Sequence, residues 1–178
     1  TGAVRIGGSS VGQQSTIRVT RLTVGSTSVF GASTASGATA PININGGVLE
    51  FRSNSSLDFN SLATGKNVYF QTTAALFTGP AAGGAAINGV TTLGLFRVGQ
   101  GQTLTLNSRN GYGMAFQEWT LESNNGNSAI TNEMGGRLTF AANVWNNTEN
   151  TGNRTLTIGG AGNTAITGNL IASAAAFD

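Results

Sequence analysis

The stretch NRTLTIGGAGNTAITGNL, Asn153 to Leu170, reads as a strand, a glycine-rich turn and a second strand. Thr155 to Ile158 alternates polar and apolar residues, the period of two that marks a half-buried strand. Gly159, Gly160, Ala161, Gly162 and Asn163 then bend the chain, because Gly and Asn tolerate the positive φ that a corner demands. Thr164 to Thr167 extends again, and Gly168-Asn169 turns once more.

Outward from this stretch the unit returns in altered form. Strand centres are expected at Leu49, Val68, Ile87, Leu104, Leu121, Leu138 and Leu156. The step from each to the next is about 17–19 residues, a recurrence short enough to signal a repeat architecture. Several have an apolar residue two positions on, which lies on the same face of a strand. Such a unit is too short to hold its own core, and it suits one coil of a β-solenoid. The fold expected is all-β, a parallel β-helix with coils of about 17–20 residues, with strands of successive coils about 4.8 Å apart. Residues 1–40 read as N-terminal strands forming a cap or arm, and residues 41–178 as solenoid coils. Within the first part, GASTASGATA (Gly31 to Ala40) is a low-complexity turn. Loops are expected around Thr72 to Ala86 and Asn107 to Gly113.

Composition agrees with an all-β chain. It has 178 residues, only two prolines and no cysteine, so neither a disulfide nor a thiolate metal site is available. Nine Lys plus Arg stand against seven Asp plus Glu. The cations are scattered singly, as on a solvated face, whereas nucleic-acid recognition needs them clustered along one track. No apolar run approaches the ~20 residues that span a bilayer.

The chemistry-bearing residues are sparse. The chain has no histidine, so with cysteine also absent the usual general-base and nucleophile systems are missing. Asp occurs only at positions 58 and 178, too few for the carboxylate clusters of polysaccharide hydrolases or calcium sites. Glu118 and Glu122 read as solvated residues at a coil edge. The expectation is a protein without catalytic residues, cofactor or metal. Trp145, in the polar run Asn143 to Asn147, is the candidate for contact with a glycan.

The segment from Asn153 to Leu170 resembles the passenger repeat of bacterial autotransporters, the autotransporter-associated β-strand repeat. Gly101 to Asn107 and Gly136 to Phe140 resemble its strand half. The resemblance implies a right-handed parallel β-helix placed outside the cell or on its surface, in a family with many non-enzymatic members.

A solenoid needs capped ends, or it offers open sheet edges to the next molecule. Neither end of this sequence carries a polar capping helix. Such ends fit either a piece of a longer array or ends that pair with a second copy, and the function expected is structural: a self-associating subunit of a surface fibre, sheath or matrix, stacked head to tail. Val4, Ile6, Ile17 and Val19 would supply the N-terminal columns of that interface. Leu156, Ile158, Ile166, Leu170 and Phe177 would supply the C-terminal ones. The alternative is an adhesin passenger segment that binds a host surface or a polysaccharide.

Overall fold

The structure, a computed structural model, describes residues 21–26, 42–44, 46–59, 68–70, 72–98, 101–121, 127–141, 144–146 and 155–171. These form fifteen strands and no helix. One sheet holds β1 (Arg21–Val24), β3 (Val48–Arg52), β6 (Ala74–Gly79), β8 (Thr103–Ser108), β10 (Asn127–Glu133) and β13 (Thr155–Gly159), stacked in that order. The second sheet holds β2 (Ile42–Ile44), β4 (Leu57–Asp58), β5 (Val68–Phe70), β7 (Val90–Val98), β9 (Gly113–Leu121), β11 (Leu138–Phe140), β12 (Val144–Asn146), β14 (Thr164–Ile166) and β15 (Leu170–Ile171). Every pairing in both sheets is parallel. The chain passes from the first sheet to the second and back, once per coil. This is a parallel β-helix.

The coil is longer than the sequence spacing suggested. In the first sheet Arg21 lies opposite Val48, and Val48 opposite Ala75. Ala75 lies opposite Thr105, Thr105 opposite Thr131, and Thr131 opposite Gly159. These offsets make a coil of about 26–30 residues, within the usual range of solenoid repeats and well above the expected 17–20. Leu49, Leu104 and Leu156 are strand residues of the first sheet, whereas Val68, Leu121 and Leu138 belong to the second. The shorter spacing stepped between the two faces of the helix, because each coil has apolar strand residues on both. Ile87 is no strand centre: it stands 69% exposed in the loop between β6 and β7. Of the loop expected around Thr72 to Ala86, Ala74–Gly79 is strand β6, and the loop runs over residues 80–89.

Register explains the core. On the first sheet Leu22, Leu49, Leu76 and Leu106 lie one above another, and beside them run Ala74, Leu104, Ile130 and Ile158. On the second sheet Leu93, Phe116, Phe140 and Ile166 form a column, as do Leu57, Thr91, Met114, Leu138 and Thr164. Phe116 stacks on Phe140 at 5.7 Å between ring centroids, with 18° between their planes. Phe51 meets Phe59 at 5.3 Å nearer the N-terminal end. Each of these buried side chains adds about 1.5–3 kcal/mol, realised only when the neighbouring coils are present.

Polar residues enter the apolar interior as well, among them Thr78, Thr91, Ser128 and Asn132. Thr78, in line with Phe51, shares a 2.8 Å hydrogen bond with Thr91 of the second sheet, and both are buried. Changing Thr78→Val should cost about 1–3 kcal/mol by leaving the Thr91 hydroxyl unpaired, whereas the Thr78→Val/Thr91→Val double variant should be close to neutral. Urea denaturation of the single and double variants tests this; additive losses would mean that the two hydroxyls do not act as a pair.

The corners use left-handed backbone. Asn88 and Asn110 have φ of 57° and 54°, a conformation that Asn tolerates better than most residues. The Asn88 amide donates to the Asn110 carbonyl at 2.9 Å, and the Asn110 side chain donates to the Ala86 carbonyl at 3.2 Å, so one corner is laid on the next. Tyr112 is buried against Gly89, where any Cβ would overlap its ring. Its hydroxyl donates to the Ser53 carbonyl at 2.7 Å, bridging from the β8–β9 corner to the end of β3.

Candidate assembly surface

The last described coil consists of β13, β14 and β15. Among the described residues each pairs on one side only, β13 with β10, β14 with β11 and β15 with β12. The other side of each presents backbone N–H and C=O groups in strand geometry, a template for a further strand. Natural edges are commonly blunted by charge, proline or a bulge. The runs Thr155–Gly159, Thr164–Ile166 and Leu170–Ile171 contain no charged residue and no proline.

The apolar columns surface at this coil. Ile130 is 1% exposed, while Ile158 beside it is only half-buried; Phe140 is 1% exposed, while Ile166 beside it is 39% exposed. Leu156 is likewise half-buried and packs at the margin of the core. The fold therefore brings Leu156, Ile158 and Ile166 onto one coil, with Leu170 at the start of β15. Trp145 lies in β12, between β9 and β15. Val4, Ile6, Ile17, Val19 and Phe177 lie outside the described residues.

The outer face of the first sheet holds a charge cluster that sequence spacing missed. Glu50, 5% exposed, takes Arg21 at 3.4 Å and Arg52 at 3.5 Å, and accepts a 3.2 Å hydrogen bond from the Thr23 hydroxyl. Arg52 also lies 4.1 Å above the centre of the Phe77 ring. These two arginines are thus not the isolated surface decoration expected of them. Arg52 stands two residues from Glu50 on the same strand, whereas only the pairing of β1 with β3 brings Arg21 to them, since it sets Thr23 opposite Glu50. The cluster occupies the Glu50 carboxylate and belongs to the scaffold.

Asn132 is a second residue that the sequence did not single out. It is fully buried where the leucine column would continue, opposite Leu106. Its side-chain NH2 donates to the Asn163 carbonyl at 3.2 Å and to the Thr164 hydroxyl at 2.9 Å, and its side-chain oxygen accepts from the Met134 amide at 3.1 Å. The Gly162 amide donates to its backbone carbonyl at 2.7 Å. A Cβ at Gly162 would overlap the Asn132 amide group. Asn132 thereby fixes the Gly159–Asn163 corner and positions the open coil.

Among the described residues no group of three or more His, Cys, Asp or Glu is placed to hold a metal ion, and no helix is long and apolar enough to cross a membrane. The arrangement offers strand pairing and apolar contact. No protein-family model, curated protein or solved structure matches the chain, and the surface stands on its own geometry.

Proposed function

We propose that this chain is a non-catalytic structural subunit of an extracellular fibre, sheath or matrix, and that it self-associates end to end through its coils. The observation that carries this reading is the uncharged edge of β13, β14 and β15, unpaired on one side among the described residues, with Ile166 surfacing from the core. A coil from a second copy, with one strand against β13 and another against β14, would extend both sheets and cover Leu156, Ile158 and Ile166. One end of a solenoid differs from the other, so the contact is heterologous and repeats without closing, as a filament does. The likeness of residues 153–170 to the autotransporter passenger repeat supports the extracellular placement.

Negative-stain electron microscopy and sedimentation at several concentrations test the proposal. Rods that lengthen with concentration are expected. Ile158→Asp should hold the chain monomeric while its β-type circular dichroism persists, since that side chain is only half-buried before assembly. A monodisperse monomer at every concentration would overturn self-association.

A further inference from the structure

The outward residues of β8, β10 and β13 form a grid. Thr103, Ala129 and Thr157 make one row across the three strands, Thr105, Thr131 and Gly159 the next, and Asn127 and Thr155 begin a third. The backbone sets the spacing: about 4.8 Å between strands and roughly 6.6 Å between alternate residues of one strand. None of the hydroxyls of Thr103, Thr105, Thr131, Thr155 and Thr157 has a hydrogen-bond partner among the described residues. Threonine is also stiff about χ1, so each of these five residues holds its hydroxyl and methyl in a narrow range of directions, while Ala129 and Gly159 leave the rows flat between them.

No position of these rows is charged or aromatic; Glu133, exposed at the end of β10, follows them on the same face opposite Asn107. A nucleic acid or acidic polymer would need cations here, and a sugar ring is generally held by an aromatic face, so neither fits. What fits is a neutral solid with the same repeat. Ice presents, on several of its faces, rows of water oxygens whose repeat is close to the strand spacing of a β-sheet. A threonine hydroxyl exchanges a hydrogen bond to liquid water for one to lattice water at little net cost. The parallel ladder fixes the positions beforehand, which lowers the ordering cost of binding.

We propose that the outer face of β8, β10 and β13 binds the surface of ice. This site shares β13 with the assembly edge but uses other groups: assembly takes the unpaired backbone of β13, whereas the grid consists of outward side chains, and Thr105 and Thr131 lie on strands already paired on both sides.

The test follows a single ice crystal grown in the purified chain just below its melting point. Faceted growth and a gap between freezing and melting temperatures are expected. Thr105→Lys/Thr131→Lys should abolish both, with circular dichroism and thermal midpoint showing the fold retained. Thr157→Lys, on the exposed strand β13, should do the same where the double variant lowers folding. Thr139→Lys, on β11 of the other sheet, should leave both effects in place. Unfaceted crystals with no temperature gap in the unaltered chain would overturn the proposal, as would equal loss on Thr139→Lys.

Discussion

Replacing Phe116 by alanine should lower the unfolding free energy by about 3–5 kcal/mol. Phe116 has no exposed surface and lies between Leu93 of the coil below and Phe140 of the coil above. Its strand, β9, is paired on both sides, with β7 on one and with β11 and β12 on the other. The gap left by the ring therefore has rigid walls, and a site that cannot collapse loses both the transfer energy and the contacts lining the cavity. Ile166 ends the same column but is 39% exposed, so Ile166→Ala should cost only about 1 kcal/mol. Urea midpoints of the two variants make the comparison. Equal losses would mean that the column is not buried as a continuous core.

Asn132→Ala should be the second most damaging change, costing about 1–3 kcal/mol from the Met134 amide alone, left buried without an acceptor. The Thr164 hydroxyl and the Asn163 carbonyl lose their donor as well. Asn132→Asp makes the sharper experiment. The carboxylate can still accept from Met134, but it faces the Asn163 carbonyl, and burial without a cation favours the neutral acid. Its folded-state pKa would stand above the unfolded value, so the variant is least impaired in acid and loses stability as pH rises past the unfolded pKa. Thermal midpoints of wild type and Asn132→Asp measured across the carboxylate range should diverge toward neutral pH. A constant difference would show that the amide is not held in a dry site.

Much of the fold was legible because alternation is local. Thr155 to Ile158 announced β13, and the turn Gly159 to Asn163 announced the corner before β14, with no reference to any other coil. Coil length was not legible in the same way. It depends on which strand lies above which, and both sheets of a solenoid use the same Leu, Ile, Val and Phe alphabet. Leu104 and Leu138 look equivalent in sequence yet belong to opposite sheets. The loop at residues 80–89 hid the offset further, making the step from Ala75 to Thr105 the longest in the first sheet. The same error concealed Arg21 in the cluster around Glu50: Arg52 stands two residues along the same strand, but Arg21 reaches Glu50 only at the true offset. Asn132 sits within an ordinary run of Ser, Ala, Ile and Thr, and nothing local marks it; its partners Asn163 and Thr164 lie a whole coil further on. The open coil was foreshadowed by apolar residues near the C-terminal end, while its exposure is a property of stacking alone.

Parallel stacking also decides how the molecule responds to tension. The hydrogen bonds between coils run along the long axis, so a pull on the two ends loads them lengthwise and strips them a few at a time. Each coil released, one full offset of the first sheet's register, yields roughly 100 Å of extended chain while the coils beyond it keep their shape. In a fibre or sheath, a β-helix of this kind would lengthen in steps under strain and dissipate work at each one, giving way gradually instead of snapping.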